Sequence, residues 1–361
     1  MHDDDEKLLL RQVAIARGAL PSCDWAAVGS RIAQDRTSWE KRLRKPAHEI
    51  DTYLEPGLDA FTRDGVIVHP MKLDAAKIAD IHRHLETQTV HKGFSVYCSD
   101  RKQCSLDEAR QAGPFAGYTM DQLMRTPHLI DFFNHPAIVD FIEMSLGCVP
   151  TLYSINAWWS FPATTPTGHG AQFFHRDNDD WRFVTMFLYL TDVDEESGPH
   201  QLIKSSHTLS GMTALIDRAR GRGEDVPIDA LASFSDESYF TGAFSGTCER
   251  AFGPETTNIV GPAGTIFMAN TVAAHRGLMP TKKPRLVAWA RYGMGPNTNS
   301  ADLEQGPLAH PQVRTALRDT PRNRYVNRLL FEFDRRPGLR EDFPAPRNRL
   351  LRVVDSLRRL G

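Results

Sequence analysis

The chain is poor in cysteine, has no excess of charge of either sign and contains no long uninterrupted apolar run. Its five cysteines, Cys23, Cys98, Cys104, Cys148 and Cys248, are odd in number and widely scattered, which argues against a disulfide framework or a cysteine zinc site and for free thiols. Lysine plus arginine (43) nearly balance aspartate plus glutamate (45), for a formal charge of −2, so no basic field invites a nucleic acid. No segment resembles the roughly 20 apolar residues of a membrane span. The opening Met1-His2-Asp3-Asp4-Asp5-Glu6-Lys7 is acidic and leads into no apolar signal-peptide stretch. The expectation is a soluble globular protein, cytoplasmic by default, with neither nucleic-acid nor membrane partners. Its 361 residues, 41% of them hydrophobic, suffice for a full core.

The chemistry-bearing residues begin at His175-Arg176-Asp177. Residues two apart on a strand point to one face, so His175 and Asp177 can grip one metal ion while Arg176 faces away. A second imidazole from His275 completes two histidines and one carboxylate, the facial triad that leaves non-heme Fe(II) with open positions for oxygen chemistry. Other ligands compete. His200 and His207 lie near in sequence, and His169 sits in a Thr/Pro/Gly loop, but histidines beside turn residues are more often hydrogen-bonded loop groups. Asp179 and Asp180 are out of register with His175 or too far along the loop. His275 itself has an alternative as a satisfied core histidine.

The surroundings of the dyad add specificity: Ala171-Gln172-Phe173-Phe174-His175-Arg176-Asp177-Asn178-Asp179-Asp180-Trp181 precedes the apolar run Phe183–Leu190. Then come Gly198-Pro199-His200-Gln201-Leu202-Ile203-Lys204-Ser205-Ser206-His207, and His275-Arg276-Gly277 ahead of Pro284-Arg285-Leu286-Val287-Ala288-Trp289. From about Leu58 to Gly293 this order resembles the phytanoyl-CoA dioxygenase-like family. The resemblance implies a double-stranded β-helix (jelly roll, cupin-like) with flanking helices. It implies an Fe(II)- and 2-oxoglutarate-dependent oxygenase that uses O2 to hydroxylate a C–H bond, with succinate and CO2 as co-products. On it, His175, Asp177 and His275 are the catalytic metal ligands, and Arg285, with Phe187, binds 2-oxoglutarate. A carboxylate at Asp177 favours hydroxylation, because halogenating relatives lack it.

Arg285 also has a case of its own. Residues 276–284 contain Gly277, Pro280, Lys282, Lys283 and Pro284, a turn-like composition that reads as a hairpin between paired strands. A guanidinium on the second strand would then lie near His275, and its planar fork matches a carboxylate bidentately. The alternative is a solvated arginine in a basic turn. Two rival functions remain: a cupin-like isomerase or hydrolase that ignores 2-oxoglutarate, and a non-catalytic binding module on the same scaffold.

Around the site the expected organisation is a helical arm (1–57), a catalytic domain (58–295) with an insertion at 211–258, and an arginine-rich helical extension (296–361). Phe61–Pro70 reads as a strand, Asp74–Glu86 as a helix with Ile78, Ile81 and Leu85 on one stripe, and Pro136–Leu146 as a helix ended by Gly147. Strands follow at 151–161, 172–177, 183–190, 201–204, 259–260, 264–270 and 285–292. On the first of these, Asn156, Trp158 and Ser160 share a face, which makes Asn156 and Trp158 candidate substrate contacts; the alternative for Trp158 is a core aromatic. The insertion carries Phe234, Tyr239, Phe240 and Phe244, a composition suited to a closing loop or to mere decoration. In the extension, Leu350, Leu351, Val354 and Leu357 form a stripe that would dock on the barrel or on a second copy, a possible homo-oligomer contact.

Overall fold

The computed structural model describes residues 29–31, 33–34, 41, 43–92, 103–162, 170–177, 179–226, 242–294 and 316–330. The arm's helices at 6–45 lie almost wholly outside this set. His169, the insertion's aromatics at 234, 239 and 240, and the stripe at 350–357 lie entirely outside it.

In chain order the helices are α1 (Leu58–Asp64), α2 (Ala75–Glu86), α3 (Leu106–Ala112), α4 (Met120–Arg125), α5 (Leu129–Phe133), α6 (Pro136–Leu146), α7 (Leu209–Gly221), α8 (Gly242–Phe252) and α9 (Pro321–Asn327). The strands are β1 (Val66–Lys72), β2 (Val90–Lys92), β3 (Gln103–Cys104), β4 (Phe115–Gly117), β5 (Thr151–Ser160) and β6 (Phe183–Tyr189). They continue with β7 (His200–Ile203), β8 (Thr256–Ile259), β9 (Thr265–Ala269), β10 (His275–Gly277) and β11 (Arg285–Gly293). None of the described helices is long and apolar enough to cross a membrane.

Helix boundaries follow local chemistry. Asp74 accepts the backbone N–H of Lys77 at 2.9 Å and opens α2, whose Ile78, Ile81 and Leu85 are buried as their spacing requires. Pro136 starts α6, where its missing N–H costs nothing, and Gly147 ends it at φ 75°. The expected strand at Phe61–Pro70 is corrected. Its first four residues belong to α1, which closes when the N–H of Gly65, at φ 79°, bonds to Phe61 O at 2.8 Å. The strand begins only after this left-handed cap.

Eight strands form one antiparallel sheet in the order β1-β9-β6-β11-β5-β4-β2-β3, and β10-β7-β8 form a second. From β5 onward the chain shuttles between them: β5 and β6 in the large sheet, β7 and β8 in the small, β9 back, β10 across, β11 back. This is the double-stranded β-helix, or jelly roll. Period-two alternation decides its faces. Met186, Leu188, Ile266, Met268, Leu286, Ala288 and Ala290 pack with the helices, while Tyr189, Phe267, Val287 and Trp289 pack toward the small sheet. Each large apolar side chain so buried contributes about 1.5–3 kcal/mol.

Two expectations near the site are corrected. Residues 172–177 form no regular strand: a 3-10 turn (Gly170–Gln172) leads to an isolated bridge in which His175 and His275 exchange both backbone hydrogen bonds at 2.9 Å. The segment 276–284 is no hairpin either, because β10 pairs with β7 whereas β11 pairs with β5 and β6. It crosses between the sheets, held by Glu196 O, which accepts the N–H groups of Thr281 and Lys282 at 2.9 and 3.1 Å.

Candidate metal centre

His175, Asp177 and His275 converge although a hundred residues separate the first from the last. One ligand atom from each lies within 4.8 Å of the other two. His175 Nε2 is 3.8 Å from Asp177 Oδ1, and His275 Nε2 is 3.7 Å from Asp177 Oδ2. The two rings are held alike: His175 Nδ1 faces Phe173 O at 2.8 Å and His275 Nδ1 faces Ala273 O at 2.9 Å. A carbonyl only accepts, so Nδ1 carries the proton in both rings, and Nε2 is the ring nitrogen that would meet an ion. Burial pushes both imidazoles toward the neutral form, His275 down to about 3, with the neighbouring His175 adding to the effect.

Asp177 is buried as well, and burial works against its charge. Arg291, the two imidazoles and the Thr271 hydroxyl outweigh that penalty and hold its carboxyl below the usual carboxylate range. Arg291 Nη2 lies 3.1 Å from Asp177 Oδ2, while its Nη1 lies 2.6 Å from Asp179 Oδ2. Tyr153 donates its hydroxyl to the same Asp179 oxygen at 3.0 Å. Asp179 is thus tied to Arg291 and Tyr153, and Asp180 Oδ1 accepts the N–H of Trp181 at 2.7 Å. Neither replaces Asp177 in the cluster.

Arg285 opens β11 and lines the same cavity as the three candidate ligands. Along an extended strand it stands about 20 Å from Arg291, with Val287 and Trp289 between them on the same face. Its residue is only 4% exposed, and burial lowers its pKa. Nη2 reaches Ser160 Oγ at 3.4 Å, but Nε and Nη1 are buried with no hydrogen-bond partner. Burying a guanidinium in this way costs several kcal/mol unless an anion completes it. A carboxylate ligand fits that requirement, and the neutral-imidazole and carboxylate set fits a divalent metal.

Residues 61–230 match the family model described as phytanoyl-CoA dioxygenase (PhyH). Over these residues the chain is similar to the phytanoyl-CoA dioxygenase family. The match contains His175 and Asp177 and stops before His275 and Arg285, which the fold brings to them. Among solved structures, the epimerase SnoN in complex with Fe3+, alpha ketoglutarate and nogalamycin RO is 19% identical, with 66% of this chain and 82% of that chain covered and a TM-score of 0.42. The non-heme monooxygenase ThoJ as a nickel complex is 16% identical over 84% and 97% of the two chains, with a TM-score of 0.41. HygX from Streptomyces hygroscopicus with nickel and 2-oxoglutarate bound is 18% identical over 67% and 86%, with a TM-score of 0.37. No curated protein matches the chain.

Other side chains of the site lie partly where sequence reasoning puts them. Phe187 stacks on Phe267 at 4.6 Å and walls the cavity, and Trp158 does so with its ring 4.6 Å from that of Trp289. Asn156 is buried outside the cavity lining, its amide donating to Ser154 Oγ at 2.6 Å. Arg176 faces away from the cavity as expected, yet is fully buried: it donates to Val272 O at 3.2 Å and meets Met212 Sδ at 3.1 Å. His207 bonds to Thr62 O at 3.0 Å. Sequence reasoning missed Arg291 and Trp289, although both share the parity of Arg285 on one strand, and it favoured a hydrogen-bonded loop group over a metal ligand for His200. Cys104 and Cys248 are free thiols.

Proposed function

We propose that the chain is an Fe(II)- and 2-oxoglutarate-dependent dioxygenase that hydroxylates an unactivated C–H bond of a small organic molecule, with succinate and CO2 as co-products. The observation that carries this reading is the pairing, in one cavity, of the His175/Asp177/His275 cluster with a buried guanidinium, Arg285, whose Nε and Nη1 meet no protein group. An isomerase or hydrolase indifferent to 2-oxoglutarate has no use for that guanidinium. Iron, when bound, would supply the dioxygen chemistry. His175, Asp177 and His275 would hold it and leave sites open. Arg285 would bind the far carboxylate of the cosubstrate, with Phe187 as an apolar wall. Trp158, with its aromatic neighbours, would shape the substrate side and keep water out. The catalytic domain in this reading is 58–295.

The test is anaerobic loading with Fe(II), then oxygen with 2-oxoglutarate and no substrate. Slow formation of succinate is expected, and its absence from protein that has taken up one iron would overturn the reading. Arg285→Gln is expected to raise the KM for 2-oxoglutarate by about 100-fold or more, since a charge-assisted bidentate contact is lost. Iron uptake should be unchanged. Arg285→Lys should recover only part, because a lysine offers no fork.

A further inference from the structure

Buried side chains that line the cavity with polar atoms meeting no protein partner include Arg285 at Nε and Nη1, Trp289 at Nε1 and His200 at Nε2. Arg285 is accounted for above. His200 is held beside the metal cluster. It opens β7, its N–H donates to the Tyr189 hydroxyl at 3.2 Å, and it pairs in register with Gly277 on one side and Ile259 on the other. Its ring lies against His275 at 5.3 Å and 24°, Phe187 at 4.7 Å and Phe267 at 5.3 Å. Aromatic contact on these sides fixes the ring without satisfying Nε2.

His200 is not a member of the ligand cluster, which comprises His175, Asp177 and His275. It stands beside that cluster, on the way to Arg285. Its partner across the ladder, Gly277, leaves room where a Cβ would come within 2.9 Å of Arg285 Nη2. A dicarboxylate reaching from the cluster to Arg285 therefore passes the His200 ring. A buried donor without a partner destabilises the empty protein, and a ligand acceptor relieves that cost.

We propose that His200 is a cosubstrate-binding residue, whose Nε2–H donates to a carboxylate oxygen of the 2-oxoglutarate held between the metal cluster and Arg285. The inference rests on the function proposed above. In sequence His200 reads as a weak metal-ligand candidate; in the fold it instead adds a hydrogen bond beside the guanidinium, while the aromatic wall fixes its direction.

The experiment uses full-length protein loaded with Ni(II), which binds without turning over, and titrates 2-oxoglutarate by calorimetry. Ni(II) affinity is measured in parallel. For His200→Leu the Kd for 2-oxoglutarate is expected to rise about 10- to 100-fold, as for loss of one hydrogen bond to a charged group, with Ni(II) affinity within threefold of wild type. His200→Gln, which retains an N–H donor, is expected to bind 2-oxoglutarate more tightly than His200→Leu. Unchanged 2-oxoglutarate affinity in His200→Leu would reduce the ring to packing. Loss of Ni(II) in step with 2-oxoglutarate would make it a metal-site residue instead, and either result overturns the inference. If thermal melting shows that the leucine variant does not fold, His200→Phe is judged on the same thresholds. Wild-type protein that takes up Ni(II) but not 2-oxoglutarate would overturn the proposed function; wild-type binding with an unaffected His200→Leu overturns only the role of His200.

Discussion

Among single residues, Arg291 carries the most consequences. It bridges two buried carboxylates, Asp177 and Asp179, the second of which also takes the Tyr153 hydroxyl. Replacing it by leucine leaves two negative groups close together away from water, and breaking a buried pair on one side costs about 3–5 kcal/mol. Arg291→Leu is therefore expected to lower the unfolding free energy of metal-free protein by about that amount, read from urea denaturation. A loss under about 1 kcal/mol, the range of a solvent-exposed pair, would mean that water, not the guanidinium, compensates these carboxylates. Arg291→Lys should recover part of the loss, because one ammonium can face one carboxylate but cannot fork to two. Residue parity shows why the arginine is legible after the fact: positions 285, 287, 289 and 291 alternate onto one face. What parity cannot say is which end of that face meets the His175/Asp177/His275 cluster.

At the scale of elements, the crossing from β10 to β11 decides where Arg285 stands. Residues 278–283 lie over the loop before β7, where Gly198 adopts φ 68°. A Cβ there would sit 2.3 Å from Leu278 O and 2.5 Å from Pro280 N, both backbone atoms that cannot swing aside. Gly198→Ala would add this clash to a left-handed conformation that itself costs an alanine about 1–2 kcal/mol. The expected outcome is a destabilisation of roughly 2 kcal/mol or more, together with a weakened affinity for 2-oxoglutarate as the crossing shifts Arg285. Circular-dichroism melting and ligand titration check the two effects separately. A variant as stable as wild type would show that the crossing adapts. The capped helices α2 and α6 are the counterexample: Asp74, Pro136 and Gly147 place their ends locally, with no help from distant chain.

For the whole molecule, buried histidines set the response to acid. Burial depresses the pKa of His69 to about 4 and that of His275 to about 3, and it lowers those of His175, His200 and His207. These groups stay neutral in the fold while their unfolded counterparts protonate below about pH 6.5. The unfolded chain thus binds more protons, and stability falls as the pH drops from about 6.5, for His69 until about 4 and for His275 until about 3. Each contributes up to about 1.4 kcal/mol per pH unit. Metal-free protein is expected to melt well below its neutral Tm at about pH 5, as read by scanning calorimetry. Metal bound to neutral imidazoles should raise Tm at about pH 7 and be released as the pH falls. An unchanged Tm between about pH 7 and 5 would contradict the neutral, buried state of these rings.

The amino-acid sequence by itself determined the local features of this protein: helix ends capped by Asp74 and Gly147, strands written in alternating residues, and a His-x-Asp pair whose side chains share a side. Those depend on backbone conformation and neighbours within a few positions, which sequence spacing encodes directly. Only the tertiary structure decided that residues 276–284 cross between sheets, that His175 sits on a single bridge to His275, that Arg291 grips Asp177, and that Asn156 turns to Ser154 while His200 faces the cavity. These are pairings between segments brought together by sheet order. Any of several orders satisfies the same alternation, and only packing of the whole core chooses among them.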